Sequence, residues 1–413
     1  MMNNKNRILT IIYLILLGYG QLNAQSESLT SSPYSLYGLG LSNKMSTGKA
    51  NALGHSGIAR FSTVDLNSLN PASYATIHSN SFFYDIGLKG QYASYNENNY
   101  KKNELTGNFS SLAFGFSVTK NSGIGLTLLP YTSIGYSITG IESDVEGYDA
   151  KFLSDFNGSG GLNNLKLNYG YSIGKALRLG VFGSFLFGNI EQTESSTILG
   201  SEMLIDETNS YSGFRGGVGL QYDLTKNVSF GGIVSFPSNL NGKQSSEVTI
   251  SETVISSDDG KLKDYKLPLE IGFGTYFKVK ERFLVSLDYR KNFWTTTNQS
   301  DNIGDFVNQQ IYNVGLEYIP LKKTLSYFSK INYRAGFSYD DGNLRIGDTR
   351  ISNYEFNLGL GLPLSEMNNS VLNITYSYGK LGQVSNNLIK ENYHSIGVNL
   401  SLEDIWFVKR KIN

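Results

Sequence analysis

The chain has 413 residues, and its 35 Lys+Arg balance its 35 Asp+Glu, so the formal net charge is zero. This balance gives no electrostatic basis for binding nucleic acid. The chain has no cysteine, which excludes disulfides, a thiolate zinc site and a lipidated N-terminal cysteine. With only 3 histidines, we expect no metal centre, with a site built from carboxylates as the alternative. We expect no cofactor.

Residues 1–24 have the pattern of an export signal. Lys5 and Arg7 precede the apolar run Ile8–Leu17, which is too short to cross a bilayer as a helix. Leu22–Ala24 offers a cleavage site. No later segment approaches about 18 uninterrupted apolar residues. The sequence therefore predicts an exported protein without a membrane-spanning helix.

Residues 25–79 are rich in Gly, Ser, Asn and Ala and lack strand alternation. They include the stretch Ala52–Ala59 and the tripeptide Asn70-Pro71-Ala72, in which Asn-Pro favours a turn and Pro can start a short helix. A segment of this kind ahead of a barrel fits either a plug in the lumen or a periplasmic arm. Its many small residues suit close packing inside a lumen.

Residues 80–408 alternate between apolar and polar or glycine positions, as in Ile396–Leu402. In a strand such alternation gives one apolar and one polar face. The segments are longer than the usual ~5–6 residues, and about 14 of them occur, an even number as in bacterial barrels. The pattern predicts an all-β fold: a transmembrane antiparallel β-barrel in a bacterial outer membrane, contacting outer-membrane lipid. A secreted soluble β protein is the alternative.

The predicted strands are joined by connections that alternate in length. Tight turns lie near residues 121, 175, 225, 280 and 367, whereas longer polar connections lie near 97–104, 139–161, 193–208, 241–263, 297–307 and 382–390. Because transmembrane barrels have short periplasmic turns and longer external loops, we expect both chain ends to be periplasmic.

The strand register also predicts a polar lumen face. Charge is costly on the lipid face, so the charged strand residues should point inward and pair. They either form structural ion pairs with the plug and wall, or include a constriction or a carboxylate-binding arginine such as Arg215 or Arg334. The set is Asp85, Lys89, Lys166, Arg178, Arg215, Glu270, Asp288, Arg290, Glu317 and Arg334.

The third predicted strand, about residues 123–138, contains Pro130 near its middle. Proline donates no ladder hydrogen bond and marks an edge, a bulge or a break in a sheet. An unpaired backbone group is expensive in lipid. Pro130 among several glycines is therefore a candidate kink that opens the wall, with a tolerated bulge as the alternative.

These features together resemble the long-chain fatty-acid transporter family of outer-membrane barrels (OmpP1/FadL-like), in a form common in Bacteroidetes. Ala52–Ala59, Asn70-Pro71-Ala72 and the Gly-rich third strand with its Pro carry the resemblance. It implies a fourteen-stranded barrel with an N-terminal hatch that contains Asn70, Pro71 and Ala72. It also implies a lateral opening bordered by Gly125 and Pro130, through which a small hydrophobic molecule leaves sideways.

The external connections of this chain are mostly polar, with one exception. Tyr148–Phe156 has the spacing of a short amphipathic helix. Phe152, Leu153 and Phe156 could there form a capture site for a hydrophobic ligand.

Three functions fit these observations. The first is passive uptake of a small hydrophobic compound through a plugged lumen and a lateral wall opening. The second is a non-transporting structural subunit of a larger outer-membrane complex for secretion, motility or assembly, with outer-membrane proteins as partners. The third, a general porin, fits poorly because the N-terminal segment should block the lumen. We expect no enzymatic activity, because His394 and Ser395 fall on opposite faces of the last strand.

Overall fold

The computed structural model describes residues 30–97, 100–144, 151–198, 201–280, 282–299, 304–320, 327–365, 368–384 and 388–405. The predicted signal segment, residues 1–24, lies outside this range. In the described part of the chain, no helix is both long and apolar enough to cross a bilayer.

The described residues form 21 strands and five short 3₁₀ helices. The strands are β1 Leu41–Ser42, β2 Ser81–Glu97, β3 Tyr100–Thr119, β4 Ser122–Pro130, β5 Thr132–Asp144, β6 Lys151–Ile173, β7 Leu177–Ile198, β8 Ser201–Asp223, β9 Val228–Ser235, β10 Ser238–Ile250, β11 Thr253–Leu267, β12 Glu270–Val279, β13 Phe283–Asn292, β14 Asp305–Phe306, β15 Gln309–Tyr318, β16 Asn332–Asp340, β17 Leu344–Ile346, β18 Thr349–Arg350, β19 Asn353–Pro363, β20 Val371–Leu381 and β21 Lys390–Ile405. The 3₁₀ helices are Pro33–Leu36, Gly48–Leu53, Pro71–Thr76, Trp294–Thr297 and Tyr327–Lys330.

The wall is a closed antiparallel barrel, because the first wall strand, β2, pairs with the last, β21. Three wall strands are interrupted, so that β4 with β5, β9 with β10, and β11 with β12 each fill one position. Counted in this way, the wall has the predicted fourteen strands. A small separate sheet is formed by β14, β17 and β18.

The outer face of the wall carries a belt of exposed apolar side chains. Leu88 is 59% exposed, Leu167 50% and Leu358 60%. These residues lie at the positions that the alternation assigns to lipid, so the predicted register is confirmed. With its closed ladder and apolar belt, the chain is a bacterial outer-membrane β-barrel.

Five strands continue far beyond this belt, and here the loop prediction is wrong. β6 and β8 each have 23 residues and β7 has 22, so each spans about 75 Å, well above the ~25 Å height of a lipid belt. The polar stretches predicted as loops at 139–161, 193–208 and 241–263 are mostly ladder-paired, with β10 and β11 forming the last hairpin. Because most side chains of this extension are polar, its sequence shows no regular apolar alternation.

The helix predicted at residues 148–156 is also corrected. Residues 148–150 lie outside the described range, and residues 151–156 belong to β6. Backbone pairing with β5 and β7 over Leu153–Phe156 outweighs the helical spacing of the aromatic residues.

Candidate functional site: the filled lumen and the interrupted wall

The plug segment, residues 30–80, lies against the inner face of the wall. At its centre Asn70 begins the 3₁₀ helix Pro71–Thr76, and its Oδ1 accepts a hydrogen bond from the Ala72 N–H at 3.0 Å. The Asn70 Nδ2 donates to the carbonyls of Ile58 at 2.8 Å and Leu220 at 3.0 Å. One fully buried amide therefore caps the plug helix and ties it to β8.

A row of glycines gives this helix a smooth wall to pack against. Gly123, Gly170, Gly180 and Gly219 stand opposite one another across four neighbouring wall strands. A Cβ on Gly180 would lie 2.2 Å from the Ala72 nitrogen. The backbone of the plug therefore approaches the wall closer than any side chain would permit.

Gly125, predicted to border a lateral opening, belongs to this packed region instead. It pairs with Gly115 of β3 on one side and Asn168 of β6 on the other. A Cβ on Gly125 would lie 1.9 Å from Cε1 of Tyr74, a buried plug residue. Gly125 makes room for this ring in the fully paired part of the wall.

An ion-pair network links the plug to the opposite wall. In the plug, Asp65 lies 2.6 Å from Arg60 and 3.1 Å from Lys49. Lys49 also lies 3.4 Å from Glu317 of β15, which lies 2.8 Å from Nε of Arg334 in β16. Glu317 and Arg334 are buried. The network is continuous from the plug to the wall.

The charge state of Asp65 keeps this network intact at ordinary pH. Burial raises the pKa of Asp65, but the charges of Arg60 and Lys49 outweigh this and hold the pKa well below its usual range. Asp65 therefore contributes stability at neutral pH that is lost only as the pH falls through this lowered pKa.

A second polar cluster surrounds Glu355 of β19. Its carboxylate lies 3.0 Å from Lys44 Nζ and 3.1 Å from His55 Nε2, and it accepts a hydrogen bond from Tyr393 at 2.9 Å. Burial lowers the pKa of His55 despite the hydrogen bond to Glu355, so the ring is neutral at pH 7.

Asp288 of β13 makes another contact between wall and plug. Its carboxylate accepts hydrogen bonds from the backbone N–H groups of Gly57 at 2.6 Å and Ile58 at 3.0 Å.

The predicted lumen arginines have structural partners. Arg215 donates from Nε to the Phe236 carbonyl at 3.0 Å and from Nη2 to the Pro268 carbonyl at 2.7 Å. Both carbonyls lie at interruptions of the wall, so Arg215 satisfies acceptors that the ladder leaves free. Glu270 and Arg290 line a cavity of about 90 Å³ with Arg215. Arg334 is part of the ion-pair network instead.

The outer half of the lumen is filled by apolar packing. Leu36 and Leu39 of the plug segment enter a cluster with the wall residues Ile134, Leu162 and Leu186. A second apolar cluster joins Tyr34 and Tyr37 to residues of the external connections, including Leu344, Ile351 and Leu388. The Tyr34 hydroxyl also donates to the Ile389 carbonyl at 2.7 Å.

The wall is interrupted where Pro130 predicted a kink. β4 ends at Pro130, β5 begins at Thr132, and the Tyr131 carbonyl accepts a hydrogen bond from Asn43 of the plug. β3 pairs with β4 only from Leu112 onward, and β5 pairs with β6 and with the plug strand β1. On the extracellular side of Leu112 and Pro130, therefore, no described strand lies between β3 and β5.

A sequence profile of the BamG family matches residues 4–413. The chain belongs to the BamG family. No curated protein shows significant sequence similarity to this BamG-family chain.

Several solved barrels are similar in fold to this BamG-family chain. The CymD monoaromatic hydrocarbon channel has a TM-score of 0.59 at 13% identity, with coverage of 87% of this chain and 98% of that chain. The P. putida toluene transporter TodX has a TM-score of 0.59 at 14% identity, with coverage of 89% and 100%. A Pseudomonas aeruginosa FadL homologue has a TM-score of 0.58 at 12% identity, with coverage of 87% and 98%.

The three residues predicted to capture a ligand do not converge in this BamG-family chain. They lie on β6, where Phe156 packs against the apolar cluster of the lumen. Leu153 is 54% exposed, and because it is an odd number of positions from both Phe152 and Phe156, it points to the opposite face of the strand.

Sequence reasoning missed the plug side of the network, namely Lys49, Arg60 and Asp65. Nothing in a non-strand segment indicates which charges face the wall. It also missed Glu355, although a signal was present. Glu355 stands between Tyr354 and Phe356 in a strand whose aromatic and leucine residues alternate with polar and glycine residues, so strand parity alone places it in the lumen.

Proposed function

We propose that this BamG-family chain is a structural subunit of a larger outer-membrane assembly. The observation that carries this proposal is the ion-pair network of Lys49, Arg60, Asp65, Glu317 and Arg334, in which Lys49 of the plug contacts Glu317 of the wall. In the second polar cluster, Lys44 of the plug contacts Glu355 of the wall in the same way. Withdrawing the plug would break both ion pairs between plug and wall, which favours a lumen that stays filled.

The long extension of β6, β7, β8, β10 and β11 supports the same proposal. Most of its side chains are polar, and its strands rise beyond the lipid belt. At its tip Val254 and Ile255 are 53% and 57% exposed. Neither lipid contact nor plug contact accounts for this surface, whereas a protein partner outside the membrane would use it.

The wall interruption supports a second candidate, passive uptake of a small hydrophobic compound. Structures titled as a toluene transporter and a monoaromatic hydrocarbon channel share the fold. In this proposal the compound would leave beside Pro130, between β3 and β5, after the plug segment shifts. Asn70, Pro71 and Ala72 would then belong to the moving hatch.

Native mass spectrometry after gentle extraction from the protein's own membrane tests both proposals. A stoichiometric complex with other proteins and no small adduct is the result expected for the structural subunit. A monomer that carries a lipid-sized or aromatic adduct would contradict that proposal and support uptake.

A transport assay distinguishes the structural-subunit proposal from the uptake proposal without extracting the protein. Uptake of radiolabelled toluene into cells should be the same for the native chain and for Pro130→Ala if the chain is a structural subunit. A clear loss of uptake in Pro130→Ala, with an unchanged amount of folded barrel in the membrane, would support the uptake proposal.

A further inference from the structure

The wall of the barrel has one strand position that is filled only in part. Along Leu112–Ser117 of β3, the neighbouring position holds β4. Farther out, the chain turns inward at Tyr131, and β5 pairs with the plug strand β1 through Leu41–Ser133 and Ser42–Thr132. Over residues 101–109, β3 is therefore paired with β2 alone among the described strands.

The inner part of this edge, residues 105–109, lies at the depth of the lipid belt, whereas the exposed Lys101 and Lys102 lie beyond it. Within the inner part, the Phe109 N–H already donates to the Asn108 side chain at 2.7 Å. Leu105 is 74% exposed on the outer face and stands opposite Tyr92, which is 46% exposed. Backbone N–H and C=O groups at this depth need hydrogen-bond partners, and hydrocarbon tails supply none. At about 3.4 Å per residue, the edge extends for about 30 Å. It could pair with a strand of ordinary length.

The surface beside the edge is concave, with a mixed lining. An indentation of about 900 Å³ lies between Gly107 and Asn108 of β3 and residues of β6, β7, β8 and β10, which include the polar Ser159, Ser212 and Asn241 and the aromatic Phe187 and Tyr211. Glu191 and Lys243 also line it, so its charges balance. A polypeptide, with its main-chain polar groups and mixed side chains, matches such a lining, and the balanced charges offer no net attraction to anionic lipid head groups.

On the other side of the same interruption, the chain itself pairs a short strand of the plug with the edge of β5. Beyond the β1 pairing, the Ser35 hydroxyl accepts from the Gly135 N–H at 3.0 Å and donates to the Gly135 carbonyl at 3.1 Å. The inner end of the β5 edge, residues 132–135, is thus covered by two parts of the plug that do not belong to the wall: the two-residue strand β1 and Ser35 of the 3₁₀ helix Pro33–Leu36. The edge of β3 faces the same gap and has no such segment among the described residues.

We propose that an extended strand of a partner protein in the outer membrane pairs with β3 over residues 101–109 and completes the wall. Main-chain hydrogen bonds to an exposed sheet edge are a common mode of recognition between proteins. This inference rests on the proposed structural function, because it names how the partner docks.

Single cysteines test the proposal, since the native chain has none. A Cβ on Gly107 would lie no closer than 3.9 Å to the Lys89 carbonyl, and a Cβ on Gly183 of β7, an exposed wall position away from the interruption, has open space within 4 Å. Gly107→Cys and Gly183→Cys are therefore matched variants that the fold should accept. Each is labelled with a water-soluble maleimide in the gently extracted assembly, in the isolated chain in detergent, and in the isolated chain in vesicles of outer-membrane lipid.

We expect the labelling rate of Gly107→Cys to fall at least about tenfold in the assembly relative to the isolated chain in detergent, and that of Gly183→Cys to be unchanged. Hydrogen exchange of the β3 amides over residues 101–109 should slow in the assembly only, because lipid can cover a thiol but cannot hydrogen-bond an amide. Gly107→Trp should release the partner, whereas Gly183→Trp should not.

Three other outcomes would overturn either the docking inference or the proposed structural function. A stoichiometric partner with equal labelling and equal amide exchange overturns the docking inference and leaves the structural function standing. Slow amide exchange in the isolated chain shows that the chain covers its own edge, which also overturns the inference. If no partner accompanies the native chain, the structural function itself fails.

Discussion

The inner half of the barrel and its outer extension are built from the same ladder but are held in place differently. In the inner half, each strand has lipid on one side and the plug on the other, so Gly180 and Glu317 meet specific plug atoms. In the extension, residues such as Asp206 and Thr193 bond across neighbouring strands and are exposed. Substitutions should therefore be costly in the first region and mild in the second.

The largest effect is expected for Glu317→Gln. The change leaves Arg334 buried without its carboxylate and removes one partner of Lys49. It should lower the free energy of unfolding by about 3–5 kcal/mol. Chemical denaturation of the detergent-solubilised barrel measures this loss. An unchanged midpoint would show that water, and not the plug, compensates the charges in this region.

Gly180→Val should have the next largest effect. Its side chain would collide with the backbone of Ala72, and overpacking of this kind costs about 1–3 kcal/mol. Gly183→Val is the control, because a Cβ at this position of the same strand meets nothing within 4 Å. The temperature at which each variant loses its folded mobility on a gel reports the difference. Equal temperatures would contradict the close approach of plug and wall.

Asn70→Ala should cost about 1–2 kcal/mol, because it removes both the cap of the plug helix and the bond to β8. Asn70→Asp separates the two roles, since its carboxylate still accepts from the Ala72 N–H but cannot donate to Leu220 or Ile58. Limited proteolysis of the plug, followed by mass spectrometry, should show Asn70→Asp between the native chain and Asn70→Ala. Identical digestion of the native chain and both variants would show that Asn70 does not hold the plug against the wall.

The smallest effect is expected in the extension. Asp206→Asn weakens the 2.7 Å hydrogen bond that the exposed Thr193 hydroxyl donates to Asp206. The change in the free energy of unfolding should stay within about 0.5 kcal/mol. The same denaturation experiment as for Glu317→Gln measures it. A loss comparable with that of Glu317→Gln would remove the distinction between the two regions.

The sequence predicts the fold where the two faces of a strand contact different environments, with lipid outside and the lumen inside. The alternation around Phe356 and Leu358 gives the register, and Pro130 marks the interruption of the wall. It does not predict the extension, because residues 193–198 and 201–208 are mostly polar and their main-chain pairing keeps them in strands. Nor does it predict which plug charge meets Glu317, since that contact joins residues far apart in the chain.

The closure of the wall between β2 and β21 has a consequence for the order of assembly. The plug precedes every wall strand in the sequence, yet Lys44 bonds to Glu355 and Tyr34 to Ile389, in the last quarter of the wall. Contacts so distant in sequence form late. We therefore expect the N-terminal segment to be the core around which successive hairpins assemble. The closing strands β2 and β21 should pair only after the last polar groups of the wall have bonded to this segment.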